Sequence, residues 1–272
     1  MRQAMFMLYC WTIDLSVVNT INECRLISSS TEISSATVVD WFSYAREMAL
    51  GHLDNIYEQE GKIGGEHHTI GIDETLIGKR KYQRGRFRTG VWIVGCIDLE
   101  TKQFRIEPCR KNKRNEAELK RIIHKHVRPG GTIVTDLWKA YNFIEREKFA
   151  HHLTVNHSTN FVDPDTGAHN QLVESEWRPL KKRLFGKGIS KKRLGLHLSE
   201  HLWKRQFKTD RFWHLLEAIR IFNSLPTETK DEDEGEDEGE GEGEGEDEDE
   251  GEDQDEGEDQ NEDEGEDEEN AD

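Results

Sequence analysis

The chain has 272 residues and a formal charge of −19, but 29 of its 56 acidic residues fall in the Asp/Glu/Gly run 231–272, which holds no Lys or Arg. The first 230 residues therefore carry 27 acidic against 37 basic side chains, a positive body that suits one or two globular domains with a polyanionic partner. Cys10, Cys24, Cys96 and Cys109 form no CxxC pair, which excludes a disulfide scaffold or zinc ribbon and matches a reducing compartment. No apolar run approaches the length of a membrane span.

In chain order, residues 1–62 read as helical. The opening MRQAMFMLYCWTIDLSVV has a leader-like apolar character, yet Thr12 and Asp14 interrupt it and no small-residue cleavage site follows. Leu15–Cys24 is one predicted helix. After the Ser-rich turn 28–35, Ser35 is placed to cap a second, Ala36–Leu50, with Val38, Phe42, Ala45 and Ala49 on one face. Two helices joined by a turn suggest a helix-turn-helix that contacts DNA, or a plain hairpin packing on the next domain.

The period then changes. Thr69–Ile77, Val91–Asp98 and Gln103–Pro108 read as strands, followed by a helix over 115–127. Pro129-Gly130-Gly131 turns the chain into a fourth strand, Thr132–Thr135, ending at Asp136. A helix over 139–148, a strand near Leu153–Asn156 and a helix over Gln171–Leu184 complete the order. Three hairpin-like strands followed by alternating helices and strands predict a mixed α/β sheet of the ribonuclease-H-like kind over 66–225. The acidic run 226–272 cannot bury enough apolar surface to offset its ordering entropy and is expected to be disordered.

Three acids stand out. Asp73 interrupts an Ile-rich strand in GIDET, Asp136 ends the fourth strand in TDLWKAY, and Glu174 lies on the last core helix in NQLVESEW. An unpaired charge inside such a strand is costly to bury, and strand ends with adjacent helix faces are where an open α/β sheet gathers its site. Their convergence would make an all-oxygen cluster suited to Mg²⁺ or Mn²⁺, and two ions about 4 Å apart serve in-line phosphoryl displacement. Singly, each acid is more simply a cap, turn or surface charge. Periodicity does not choose the third member. Val173, Trp177, Leu180 and Leu184 form a stripe, and Glu174 and Glu176 flank its centre at about 90° and 70°.

Two basic clusters accompany these acids. Lys79, Arg80, Lys81, Arg84, Arg86 and Arg88 follow the first strand, with Tyr82 and Phe87 among them, and Arg178, Lys181, Lys182, Arg183, Lys187, Lys191, Lys192 and Arg193 form the second. Basic residues beside a metal site would hold phosphate backbone without reading sequence, and the aromatics would stack on unpaired bases. Solvated loop charge or a nuclear-import signal would use the same residues. A rival motif, His197-Leu198-Ser199-Glu200-His201, matches the HxxEH zinc-peptidase pattern, although Leu194, Leu198, Leu202 and Trp203 make it read as a packing helix.

Taken together, IDETLIGKRKYQRGR, PGGTIVTDLWKAY, VNHSTNFVDPDTGAH and ESEWRPLKKRL resemble the Merlin superfamily of DNA transposases and related bacterial insertion-sequence transposases, over about residues 70–207. The resemblance implies a ribonuclease-H-like fold and an Asp-Asp-Glu triad that binds two Mg²⁺ or Mn²⁺ ions. It also implies cleavage at transposon ends with joining of 3′-hydroxyls to target DNA, by a homo-oligomer, in the nucleus if the source is eukaryotic. Matched residue by residue, the acids are Asp73, Asp136 and, five residues after His169, Glu174. His157 and His169 fall in the loop before that helix and would line the site. Two departures stand: Asn170-Gln171-Leu172-Val173 replaces the usual Thr-Asn-Thr-Ile, and no zinc-ribbon spacing is present. The acidic run lies outside the family pattern and would suit basic proteins or the basic body as partner. The alternative function is a descendant that binds DNA or chromatin without cutting.

Overall fold

A computed structural model describes residues 2–27, 33–78, 90–155, 171–184 and 191–224. Lys79, Arg80, Lys81, Arg84, Arg86, His157, His169 and the acidic run lie outside the described residues.

Three helices come first: α1 (Arg2–Thr12), α2 (Val17–Ile27) and α3 (Ser35–Glu60). The expected Leu15–Cys24 helix is shifted toward its C-terminus, and α3 runs ten residues beyond the Leu50 anticipated from sequence. The cap of α3 is Ser34 rather than Ser35, its Oγ accepting the Thr37 N–H at 3.1 Å. That bond satisfies an N-terminal donor that has no intrahelical partner. Of the apolar residues in the leader-like opening, Met7, Leu8, Cys10 and Trp11 are buried, whereas Met5, Tyr9, Ile13 and Val18 are exposed.

The strands are β1 (Ile63–Gly64), β2 (Thr69–Ile77), β3 (Val91–Asp98), β4 (Phe104–Pro108), β5 (Val127–Arg128), β6 (Thr132–Asp136) and β7 (His151–Val155). Five form one sheet in the order β4-β3-β2-β6-β7, while β1 and β5 make a separate parallel pair. β3 is antiparallel to β2 and β4, whereas β2, β6 and β7 run parallel. This is the ribonuclease-H-like arrangement, with antiparallel hairpins on one side of β2 and crossover connections to parallel strands on the other. The first crossover uses α4 (Glu116–His126), capped by Asn115, whose Oδ1 accepts the Glu118 N–H at 3.1 Å. The turn into β6 requires glycine: a Cβ at Gly131 would stand 2.3 Å from the Gly65 carbonyl oxygen.

The helix expected over 139–148 is instead a 3-10 turn, Lys139–Tyr141, followed by the single turn α5 (Phe143–Arg146). Tyr141, Phe143 and Ile144 are all fully buried, a demand that one regular helical stripe does not meet. Three further helices complete the unit: α6 (Gln171–Leu184), α7 (Lys191–Gln206) and α8 (Arg211–Ser224).

Strand alternation divides the core in two. One sheet face, including Ile77, Ile93, Ile97 and Phe104, shares a cluster with α1, α2, α3, α6, α7 and α8. The other, including Ile70, Ile72, Val94, Cys96 and Ile133, packs on α4, Tyr141 and α5. The first three helices thus share one hydrophobic cluster with the last three. All four cysteines are free and buried, and no described helix is long and apolar enough to cross a membrane.

Candidate active site

Strand register brings the first two acids together. β2 and β6 pair Thr69 with Thr132, Ile70 with Ile133 and Gly71 with Val134. That register, carried two residues past the last paired residues, puts Asp73 and Asp136 at equivalent positions of the two strands, and the charge of Asp136 is felt at Asp73. In β3 the residue opposite Asp73 is Gly95, and the missing side chain leaves room for the Trp177 indole of α6. A Cβ at Gly95 would meet Trp177 Cη2 at 2.4 Å. The ring also contacts Phe104 edge-on, with centroids 5.9 Å apart. From there its Nε1–H donates to Asp73 Oδ2 at 2.7 Å. Asp136 is fixed locally, Oδ1 accepting the Trp138 N–H at 3.1 Å.

The acids share one electrostatic neighbourhood. Burial pushes the Asp73 carboxyl above its ordinary range, and the charges of Glu174 and Asp136 push it the same way, against the hydrogen bond from Trp177. Glu74 points to the opposite sheet face, yet burial, Asp136 and Asp73 together raise it to about 7, with Arg114 pulling it down. Its Oε1 is buried without a hydrogen-bond partner, and the nearby Tyr141 hydroxyl does not reach bonding geometry. Half-buried carboxylates that repel one another are of the oxygen-donor type that hard divalent cations take.

Glu176 is engaged elsewhere: Arg205 of α7 grips it in a fork, Nε to Oε2 at 3.0 Å and Nη2 to Oε1 at 2.8 Å. The stripe of α6 is buried as its periodicity predicts, at Val173, Trp177, Leu180 and Leu184. The two glutamates that periodicity left tied thus have different surroundings.

The family pattern of the ISXO2-like transposase domain matches residues 62–206, more than half of the chain. The chain belongs to this transposase family. A relative, the uncharacterized transposase-like protein of Haemophilus influenzae, is 31% identical over 91 residues, which cover 32% of this chain and 70% of that protein. Among solved structures, the Mos1 strand transfer complex has a TM-score of 0.31 at 11% identity, covering 80% of this chain and 93% of that one. A pre-cleavage Mos1 transpososome has a TM-score of 0.28 at 11% identity, covering 81% and 95%. A simian T-cell lymphotropic virus intasome bound to a PP2A regulatory subunit has 0.32 at 13% identity, covering 64% of this chain and 58% of that chain. Overlaps this loose place no residue.

In this transposase domain the second basic cluster is only partly a surface. Arg178, Lys181 and Lys182 of α6 are exposed. Arg183, expected among them, is instead turned inward, bound to Asp14 at 2.6 Å and Glu200 at 3.3 Å. Helical period alone does not single it out, since Lys181 lies about 70° from the centre of the buried stripe and Arg183 about 90°. What turns Arg183 inward is the pair of carboxylates, Asp14 and Glu200, that meets it on its side of the helix. The HxxEH sequence lies in α7 as a packing helix. Its Glu200 is buried and held by Arg46 at 2.7 Å and Lys204 at 3.0 Å, so it serves as a structural counter-ion and not as a base for water.

His68, Asp98 and Glu100 are a described trio with ligand atoms all within 4.8 Å of one another; Asp73, Asp136 and Glu174 are not drawn in as tightly. That trio is occupied by turn chemistry. Asp98 Oδ1 accepts the N–H groups of Glu100 and Thr101, its Oδ2 bonds His68 Nδ1 at 2.8 Å, and Glu100 Oε2 accepts the Thr69 N–H at 2.8 Å. A concavity lined by Leu53, Tyr57, Arg105, Glu107, His126 and Leu198 among others includes none of the three acids.

Sequence reasoning missed Glu74, Trp177 as a donor, and Gly95. A second acid beside Asp73 in an Ile-rich strand was a readable signal for Glu74. The role of Gly95 has no local signal, because it depends on which ring lies above it.

Proposed function

We propose that this transposase domain cuts and joins DNA at Asp73, Asp136 and Glu174, which would together hold two Mg²⁺ or Mn²⁺ ions. The observation that carries the reading is the electrostatic convergence of these three carboxylates on one sheet face, with the charges of Glu174 and Asp136 both felt at Asp73. When bound, such ions activate water and stabilise the displaced phosphate oxygen. The chain's own residues supply the positioning. Trp177 fixes the Asp73 carboxylate, and the Trp138 backbone N–H fixes that of Asp136. The Arg205 fork on Glu176 favours Glu174 as the third acid. Arg178, Lys181 and Lys182, exposed on the same helix as Glu174, would hold the phosphate backbone of the DNA.

Nicking of supercoiled plasmid in Mg²⁺ or Mn²⁺ tests this. Asp73→Asn and Glu174→Gln are expected to abolish nicking while DNA binding persists, and Glu176→Gln to cut but unfold more easily. Wild-type-like nicking by Glu174→Gln, with Glu176→Gln inactive, would overturn the assignment.

A further inference from the structure

The crossover from β4 to α4 carries a basic run, Arg110-Lys111-Asn112-Lys113-Arg114, that neither basic cluster singled out above includes. Its conformation is held by Asn112, which sits at φ 58° beside Lys111 at φ 52°. Asn112 Oδ1 accepts the Trp92 N–H at 2.8 Å and its Nδ2 donates to the Gly90 carbonyl at 2.9 Å. Arg110 N–H donates to Glu118 Oε1 at 2.7 Å.

At the end of this loop Arg114 is clamped. Its Cζ lies 4.2 Å from the ring centroid of Trp92 and 4.2 Å from that of Trp138. Both rings are themselves anchored, Trp92 on β3 and Trp138 through its backbone bond to Asp136 and edge contact with Tyr141, centroids 6.1 Å apart. The guanidinium faces are thus satisfied by aromatic surface. Its N–H edge is not: among the described residues no carboxylate lies within ion-pair distance of Arg114, although Arg46, Arg105, Arg121, Arg183, Arg205 and Arg211 all have one. Arg114 is exposed.

The position is specific. Trp92 pairs with Leu76, two residues past Glu74 on β2, and Trp138 lies two residues past Asp136. The stack therefore stands on the sheet face of Val94, Cys96 and Glu74, opposite the face that α6 covers, beyond the strand end that carries the acids and roughly 7 Å further along the strand direction at 3.3 Å per residue.

We propose that Arg114, held flat between Trp92 and Trp138, is a phosphate-binding residue that seats the backbone of a DNA strand at the sheet edge beyond the carboxylates, on the Glu74 side. A guanidinium whose faces are stacked has already lost its rotameric freedom, so its fork is presented at little further entropic cost. The fork matches two phosphate oxygens. The inward faces of both tryptophans are filled by Arg114, which favours a phosphate over a stacked base as its ligand. A fixed cation here also offsets the repulsion between a DNA strand and the acids at this end of the sheet.

This inference rests on the reading that the carboxylate site acts on DNA, and its test separates the two. Binding of the full chain to a fluorescein-labelled duplex of arbitrary sequence is followed by anisotropy as NaCl is raised, for wild type, Arg114→Gln and Arg114→Lys. One phosphate contact contributes a slope of about 0.9 in log K against log[salt]. Arg114→Gln is expected to lower the slope by about that amount and to slow plasmid nicking. Arg114→Lys keeps the charge but not the planar stack, and is expected to retain the slope at several-fold lower affinity. An unchanged slope in Arg114→Gln, with or without a drop in melting temperature, would make Arg114 a structural counter-charge and overturn the proposal while leaving the transposase reading intact. Absence of salt-dependent DNA binding by the wild type would overturn both.

Discussion

Trp177 and Asp73, 104 residues apart in sequence, are joined by a hydrogen bond of 2.7 Å from the indole Nε1–H to Oδ2. The same ring fills the space over Gly95 and packs against Phe104, so one side chain seals the sheet face and orients a carboxylate. Trp177→Phe keeps most of the apolar contact and deletes the donor. A hydrogen bond to a charged group contributes about 1.5–3 kcal/mol. If that energy orients Asp73, nicking falls roughly 10- to 100-fold with little change in the urea unfolding midpoint. Full nicking activity in Trp177→Phe would show that the bond does not serve the site.

Gly95→Ala attacks the same arrangement from below. The added Cβ would stand 2.4 Å from Trp177 Cη2 and 3.0 Å from Phe104 Cε2, and neither ring has a flexible end to withdraw. Overpacking of this kind costs about 1–3 kcal/mol. Both stability and nicking are expected to fall, whereas Trp177→Phe loses chiefly activity. Urea denaturation beside the plasmid assay distinguishes the two patterns.

The N-terminal helices are tied to the transposase core by a charge cluster around the buried Lys204 and Glu200. Lys204 Nζ donates to the Trp11 carbonyl at 2.5 Å, to Asp14 Oδ1 at 2.9 Å and to Glu200 Oε1 at 3.0 Å. Lys204→Met would leave Glu200 with less compensation in a site where it is 3% exposed. Breaking one member of such a buried set costs about 3–5 kcal/mol. The expected readout is a lower urea midpoint, with α1 opening first in hydrogen exchange. Equal stability of wild type and variant would deny the cluster its structural role.

Glu107 supplies a pH signature remote from the acids. Burial opposes its ionisation, but hydrogen bonds from His126, Lys125 and Arg121, at 2.7, 2.7 and 2.6 Å, hold the carboxyl well below the usual carboxylate range. A depressed carboxylate contributes stability that is present above its unfolded pKa and is lost as pH falls through the folded value. Glu107→Gln is therefore expected to destabilise the protein by about 1–3 kcal/mol at neutral pH, with the difference shrinking as pH falls below about 4. Thermal denaturation between pH 3 and 7 checks this, and a gap that widens toward acid would contradict it.

Much of this molecule was legible locally. The strand periods gave Thr69–Ile77 and Val91–Asp98 their bounds, and the stripe of α6 came out buried as drawn. Asp73 and Asp136 were visible as charges where strands should be apolar. These signals survive in sequence because side-chain direction in a strand or helix repeats every 2 or 3.6 residues, whatever the chain packs against.

The remaining decisions belonged to tertiary structure. Glu174 and Glu176 are equivalent by period; the Arg205 fork from another helix engages Glu176, whereas it is the charge of Glu174 that is felt at Asp73. Arg183 reads as one more surface cation until Asp14 and Glu200 arrive to bind it. Arg114 acquires its stack from two elements distant in sequence, and the bond that tethers Trp177 to Asp73 exists because the residue opposite Asp73 in register is a glycine. Local periodicity determined which residues face inward; strand register and helix packing, which depend on distant parts of the chain, decided which of those residues meet.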